Sequence, residues 1–241
     1  MVMEGANMAR EVIVTADKIR KRHRLNRIVK ISLLSLLLLL IVIYILLQVN
    51  YSEGSFSVSL SNNDTLESGI TLFETLDDPT PKRRLFANNI QFMDNISIKW
   101  LPEDIDSGGY EGSHNGDNYI AYSFYLENRG TQVINYWYSM IVDDVIKNVD
   151  EAIRIQIYLN GESTLYAKKN YLNNEPEKDT IKFREDKDGT IILQQRKNFN
   201  PGDLDRFTIV VWVEGDDPEC VDALIGGMLK MHMSITEEHI E

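Results

Sequence analysis

Two patterns of hydrophobic residues divide the chain. Residues 31–49 read ISLLSLLLLLIVIYILLQV, which is uncharged and almost wholly apolar. At about 1.5 Å per helical residue, such a stretch crosses a hydrocarbon core of about 30 Å. A soluble amphipathic helix would repeat polar residues at helical spacing, and this run contains almost none. The pattern therefore predicts a single membrane helix at residues 31–49, followed by a separate domain at residues 50–241.

Beyond residue 50, apolar and polar residues alternate with the period of two that half-buried β-strands require. YIAYSFYLE alternates regularly through residues 119–127. IRIQIYLNGES, residues 153–163, predicts a hairpin, because Asn160 and Gly161 tolerate the positive φ angles of a tight turn. Similar patterns predict further strands in FSVSL, ITLFETL, IQFM, ISIKWL, VINYWYSMIV, TIILQQ, FTIVVWV and LKMHMSI.

Two segments between the strands have helical spacing. DDVIKNVDEA, residues 143–152, predicts a short helix behind an acidic N-terminus. PECVDALI, residues 218–225, predicts two helical turns, with Asp217 as the N-cap and Gly226-Gly227 as the C-terminal stop. Roughly ten short strands with frequent turns are typical of a sandwich. We therefore expect a mainly β protein: one N-terminal transmembrane helix, then a jelly-roll-like antiparallel β-sandwich with one or two short helices.

Charge changes sign across the apolar run. Residues 1–30 carry eight Lys or Arg against three acidic residues, whereas the remainder carries 17 against 34, for a net charge of −12. Because basic flanks remain in the cytoplasm, residues 1–30 are predicted to be a cytoplasmic basic tail and residues 50–241 an extracellular acidic domain. The acidic domain would repel phosphate, so nucleic acid is not expected as a partner.

The apolar segment has two interpretations. It is longer than the usual core of about 7–15 residues in a signal peptide, and no A-x-A site follows, which favours an uncleaved anchor. Small residues at Ser52, Gly54 and Ser55 leave cleavage open, and cleavage would produce a secreted protein. Cys220 is the only cysteine, so the domain must be stabilised by its core without an internal disulfide.

The sequence contains no recognisable catalytic motif, whether nucleophile elbow, P-loop, H-E-x-x-H or C-x-x-C. His114 has the acidic neighbours Glu111 and Asp117 in a glycine-rich loop, but a general base needs a partner and a buried pocket, and the sequence shows neither. We therefore expect no enzyme, although a pair of distant carboxylates acting as in glycosidases is a minor alternative. The other histidines fall in the basic tail, the polar face of the last strand and the C-terminal tail: His23, His232 and His239.

The segment VVWVEGDDPECVDALIGG, residues 210–227, offers a candidate metal site. Hard oxygen ligands are plentiful, but their spacing matches no known calcium loop. The same residues are explained by a strand, a capped short helix and a glycine stop, and this interpretation is favoured over calcium binding. No other cofactor is predicted, and acidic neighbours disfavour a reactive thiolate at Cys220. The acidic residues that would hold calcium are Asp216, Asp217, Glu219 and Asp222.

Several segments together resemble a known family. A basic N-terminus and a long apolar segment precede GSFSVSLSNNDTLESGITLFE, and FYLENRG follows; PGDLDRFTIVVWVEGDDPECVDALIGGMLKMHMSI closes the domain. These features resemble exported Gram-positive proteins processed by the signal peptidase SipW, the TasA/camelysin-like biofilm-matrix group. The resemblance implies a jelly-roll-like domain that assembles into extracellular fibres, sometimes by donating an N-terminal strand. Camelysin is described as a metalloprotease, but this sequence has no zinc motif, so that activity is not carried over.

We therefore expect a non-enzymatic structural protein of the cell surface or extracellular matrix, assembling through β-strand exchange. Its partners would be the membrane, further copies of itself and other surface or matrix proteins. The alternative is a membrane-anchored module that binds calcium or glycan, or an accessory subunit of a surface complex. Tyr136 and Tyr138 would offer a platform for cell-wall polysaccharide if exposed, although aromatic residues in such a strand more often pack in the core.

Overall fold

The structure, a computed structural model, describes residues 2–51, 56–61, 69–90 and 92–238. The chain divides into two compact units, Met1–Glu53 and Gly54–Glu241. Among the described residues, the first unit contains a single α-helix and the second contains all of the strands. The predicted mainly β fold class is confirmed.

Helix α1 (Val2–Tyr51) is continuous and begins well before the predicted apolar segment. Its section Lys21–Ile45 is long and apolar enough to cross a membrane, judged by length and composition. The side chains of residues 21–45 are exposed within the first unit, so they form no soluble core of their own. A signal anchor and a signal peptide share these properties. The predicted division into a basic tail and a membrane segment at residue 31 stays a prediction.

The described part of the second unit contains twelve strands and three single 3₁₀ turns, the latter at Ile98–Trp100, Val149–Glu151 and Asp222–Leu224. The strands are β1 (Phe56–Leu60), β2 (Ile70–Phe73), β3 (Arg84–Phe86), β4 (Gly112–Ser113), β5 (Ile120–Asn128), β6 (Ile134–Ile146), β7 (Ile153–Leu159), β8 (Glu162–Ala167), β9 (Ile181–Lys182), β10 (Thr190–Phe199), β11 (Leu204–Val213) and β12 (Met228–Glu238).

These strands form two sheets that pack as a sandwich. One sheet has the order β10-β6-β12-β1-β3, and the other has the order β2-β5-β11-β7-β8-β9 with β4 beside β5. Most neighbours are antiparallel, but β1 pairs with β12 in parallel, and so does β8 with β9. Both sheets are therefore mixed, one through the pairing of its first strand with the last and the other through the pairing of β8 with β9. The antiparallel pairing expected throughout is wrong at these two places.

The core between the sheets is rich in aromatic rings. Phe207 of β11 stacks on Phe124 with ring centroids 5.2 Å apart, and Tyr138 of β6 meets it edge-on at 5.3 Å. All three are buried, as the alternating pattern predicts. The outer face of the second sheet is also covered, by a smaller cluster around Trp212 and Ala121. The central strands are therefore buried on both faces, which the alternating pattern alone did not predict.

The two predicted short helices are wrong in form. Residues 143–146 continue β6, because Ile146 pairs with Met228 of β12, and the chain then turns through Lys147 and Asn148 at positive φ. Long-range strand pairing thus overrides the helical spacing. The other segment makes the 3₁₀ turn Asp222–Leu224, and Gly226 ends it at φ +74°, in the predicted left-handed conformation.

Among the shorter predicted strands, FSVSL and ITLFETL contain β1 and β2. The described part of IQFM forms no strand, and ISIKWL forms a single bridge at Ile96 followed by the 3₁₀ turn. The predicted hairpin is confirmed as β7 and β8, with Asn160 at φ +54° and Gly161 at φ +86°.

The hairpin turn gives the first testable prediction. Gly161→Ala should lower the free energy of unfolding by about 1 kcal/mol, because an L side chain resists positive φ. An added Cβ would meet nothing within 4 Å, so the cost lies in the backbone alone. Urea denaturation measures the difference. Ser163→Ala, at an exposed position of β8, is the matched control and should be nearly neutral; equal stability of both variants would contradict the prediction.

Candidate functional site

The connection between β11 and β12 folds back on itself immediately after β11 ends. The Asp217 carboxylate oxygen Oδ1 accepts the Glu219 backbone N–H at 2.8 Å, and the Asp217 carbonyl accepts the Cys220 N–H at 3.0 Å. Asp217 therefore caps a tight turn, as predicted for the start of a helix, although a regular helix does not follow. This turn directs the side chains of Asp217 and Glu219 inward, where both are buried.

A second segment brings a third carboxylate to the same place. Glu177 lies in the long polar connection between β8 and β10, and carboxylate oxygens of Glu177, Asp217 and Glu219 all lie within 4.8 Å of one another. The two segments are joined by the Tyr171 backbone N–H, which donates to Oε1 of Glu219 at 3.1 Å. We call these three acidic residues the carboxylate trio.

One positive side chain faces the trio. Arg154 of β7 places its Nη2 atom 2.6 Å from Oδ2 of Asp217, with the two side chains 7% and 0% exposed. A contact between the Glu219 and Asp217 carboxyl groups, close enough for a shared proton, and after it burial raise the pKa of Glu219 to about 6. This direction is expected where carboxylates crowd together, since the protonated form relieves their repulsion.

Two oxygens of the trio have no partner in the part of the chain that the structure describes. Oε1 of Glu177 and Oε2 of Glu219 are buried and accept no hydrogen bond there, whereas Oδ2 of Asp217, which accepts none by hydrogen-bond geometry either, has the Arg154 ion pair as its partner. Glu219 as a residue is 7% exposed. Buried carboxylate oxygens are normally satisfied, so this pair calls for a shared proton or a bound cation.

The trio overlaps with the calcium ligands predicted from the sequence but is not the same set. Asp217 and Glu219 belong to it. Asp216 instead accepts a hydrogen bond from Ser97 Oγ at 2.8 Å, and Asp222 lies exposed in the 3₁₀ turn. Glu177 was missed, because no spacing rule connects two acids so far apart in the sequence. The segment around it, residues 173–189, is polar and charged, a composition that indicates an exposed loop and not a shared site.

Other sequence candidates are occupied by structural contacts. The ring nitrogens of His114 lie 3.1 and 3.2 Å from the carbonyl oxygens of Gly112 and Ile105. Glu111 accepts the Leu76 backbone N–H at 3.0 Å, and Asp117 is exposed. The structure does not assemble these residues into a catalytic group.

The remaining histidines and the Cys220 thiol are also not brought together into a site among the described residues. His232 contacts Asp143 at 2.9 Å, as expected for the polar face of the last strand, and His23 lies exposed on α1. His239 lies outside the described residues. Cys220 is half-buried and accepts a hydrogen bond from Asn95 Nδ2 at 3.2 Å.

The aromatic strand is part of the core. Tyr136 and Tyr138 are buried, and the Tyr136 hydroxyl donates to Asp205 Oδ2 at 2.6 Å. Burial and the neighbouring Asp205 raise the pKa of Tyr136. The core interpretation is confirmed, so these two rings offer no carbohydrate platform.

Comparison with known proteins identifies no family. No family model matches the chain, and no curated protein matches it. Among solved structures, it is similar to the β-glucosidase of Kluyveromyces marxianus in complex with glucose, with 12% identity, a TM-score of 0.24 and coverage of 71% of this chain and 15% of that one. The selenomethionine-labelled form of that enzyme gives 12% identity, a TM-score of 0.26 and coverage of 71% and 16%. The chain thus spans under a fifth of the glucosidase, and TM-scores this low carry no argument about function.

Proposed function

We propose that this protein is a non-enzymatic structural protein of the cell surface or extracellular matrix, which assembles with further copies of itself by exchanging strand β1. The observation that carries the proposal is the place of β1 in the fold. It is the first strand after the apolar helix, yet it lies inside a sheet, between β12 and β3. The next strand among the described residues, β2, belongs to the opposite sheet.

Removing β1 from the sheet would lose the free energy of burying its side chains. Phe56 and Val58 are buried in the core, and the Phe56 ring meets Tyr122 edge-on with centroids 6.2 Å apart. Burying a side chain of this kind contributes about 1.5–3 kcal/mol. β1 of a neighbouring copy would make the same contacts, so exchange between copies conserves this free energy.

The outer edges of both sheets disfavour assembly by simple edge-to-edge addition. Among the described strands, the edges are β3 and β10 in one sheet, and β9 with the pair β2 and β4 along β5 in the other. β2 has four residues, β3 has three, β4 and β9 have two each, and β10 carries Arg196 and Lys197. Short and charged edges block the addition of further strands. Exchange of an internal strand therefore remains the favoured route to a β-sheet assembly.

In this proposal α1 holds the protein to the membrane as a signal anchor, with residues 1–30 in the cytoplasm and residues 50–241 outside. The support is the change of charge across the apolar segment and its length. Cleavage would release the same sandwich into the matrix. The resemblance to TasA/camelysin-like matrix proteins of Gram-positive bacteria supports the same function.

Engineered cysteines test the exchange directly. Ser59 of β1 and Ser234 of β12 are paired neighbours, and adjacent strands lie close enough for a disulfide. We expect the Ser59→Cys/Ser234→Cys variant, in a Cys220→Ser background, to form covalent multimers when oxidised at high concentration. The reason is that an exchanged β1 brings the thiol introduced at position 59 of one copy beside the thiol introduced at position 234 of the next. A non-reducing denaturing gel measures the products.

The matched control is Ser139→Cys/Ser234→Cys in the same background. Ser139 and Ser234 are paired neighbours on β6 and β12, so their disulfide stays within one chain whether or not β1 is exchanged. This variant should run as a monomer. Monomers alone from both variants, in samples without filaments by electron microscopy, would overturn the proposed function.

A further inference from the structure

The carboxylate trio has the geometry of a cation site. Two oxygens on opposite sides of one calcium ion lie about 4.8 Å apart, since each bond is about 2.4 Å long. One carboxylate oxygen from each of Glu177, Asp217 and Glu219 lies within 4.8 Å of the other two. Small shifts of the three side chains would bring these oxygens to calcium-binding distance of one ion.

The charges and the unpartnered oxygens point in the same direction. Three carboxylates face one guanidinium, that of Arg154, which contacts Asp217 and leaves the two glutamates without a positive partner among the described residues. Oε2 of Glu219 is buried without a hydrogen bond, in a residue that is 7% exposed and whose carboxylate belongs to the cluster. A divalent cation would neutralise the remaining charge and satisfy both free oxygens.

The ligand atoms select the class of ion. All three are hard carboxylate oxygens, which suit calcium or magnesium better than zinc. No histidine or cysteine belongs to the group found among the described residues, and the sulfur of nearby Cys220 already accepts a hydrogen bond from Asn95. Calcium tolerates an irregular shell, whereas magnesium demands octahedral geometry.

We propose that Glu177, Asp217 and Glu219 bind a hard divalent cation, calcium in the first place, and so join two loops of the sandwich. One loop is the β11–β12 connection, and the other is the polar segment between β8 and β10. In the described part of the chain, the Tyr171–Glu219 hydrogen bond already joins these loops. The bound ion adds a second, stronger attachment. This inference does not depend on strand exchange.

Calcium titration of the full chain tests the site. The protein, kept in mild detergent because of its apolar helix, is stripped with a chelator and titrated with calcium to about 10 mM, since extracellular sites bind at about 0.1–1 mM. Isothermal titration calorimetry should give saturable heat, and the unfolding temperature of the sandwich should rise. Glu177→Gln and Glu219→Gln should each weaken binding at least tenfold and lose the rise in unfolding temperature.

Asp222→Asn is the matched control, because Asp222 is an exposed acid near the same loop and outside the trio. It should bind calcium like the unaltered protein. Circular dichroism checks that each variant is folded, and Glu177, on the half-exposed loop, is the substitution best tolerated. Absence of heat and of thermal shift in the unaltered protein would overturn the site. An equal loss of calcium binding in Asp222→Asn would also overturn it. So would a Glu219→Gln substitution that stabilises the chelator-treated protein while calcium has no effect, because that result indicates a shared proton.

Discussion

Arg154→Ala is expected to lower the free energy of unfolding by about 3–5 kcal/mol, the largest loss that we predict for a single polar substitution. Arg154 and Asp217 are almost completely buried and lie 2.6 Å apart. Arg154 is the ion-pair partner of Asp217 among the described residues, so removing the guanidinium leaves Asp217 beside Glu177 and Glu219 without one. The buried charge must then be desolvated alone or be protonated, and both outcomes favour the unfolded state.

Denaturation by urea in the presence of a chelator measures this loss without any contribution from bound cations. Arg184→Ala is the control, because Arg184 forms an ion pair with Asp186 whose side chains are 48% and 40% exposed. Exposed pairs contribute about 0–1 kcal/mol, so this variant should remain close to the unaltered protein. A loss at Arg154 no larger than that at Arg184 would show that water reaches Asp217.

Phe207→Ala is the second substitution with a large expected effect, a loss of about 3–5 kcal/mol. Phe207 is fully buried, and its ring contacts Phe124, Tyr138 and Tyr136 at centroid distances of 5.2, 5.3 and 6.5 Å. Removing it leaves a cavity between the sheets that rings held by two different strands cannot close. The lost burial and the cavity both lower stability.

Thermal and urea denaturation measure the effect of Phe207→Ala. Phe92→Ala removes the same ring from a position that is 69% exposed, and it should change the free energy of unfolding by about 0.5 kcal/mol or less. Similar losses from both variants would contradict the assignment of Phe207 to the centre of the core.

The strands could be predicted from the sequence where one periodicity dominates. The alternation in residues 119–127 and the Asn160-Gly161 turn both depend on local chemistry, so β5 and the β7–β8 hairpin were predicted correctly. The segment at 143–152 was misread because its apolar residues suit both a helix and a strand. Pairing of Ile146 with β12, which is distant in the sequence, decided between them.

Part of the candidate site could also be predicted, because local patterns in the sequence reveal only residues that are close together along the chain. Asp217 and Glu219 belong to one turn, and a clustered run of acids revealed them as candidate ligands. Glu177 is brought to them by the tertiary fold, and Asp216, their neighbour, is turned away towards Ser97. A sequence records which acids are adjacent along the chain, whereas the backbone turn decides which of them face the same point.

The parallel pairing of β1 with β12 also determines how the sandwich resists mechanical force. Five residue pairs join the two strands, from Phe56 with Met231 to Leu60 with Ile235. Tension applied between the chain that precedes Phe56 and the C-terminal end of β12 pulls these two strands in opposite directions along their length. The hydrogen bonds between them then lie across the direction of the force and are loaded together in shear. They therefore break together and not one after another. A surface protein held at one end and pulled at the other would thus bear its load on the strand that carries the proposed exchange.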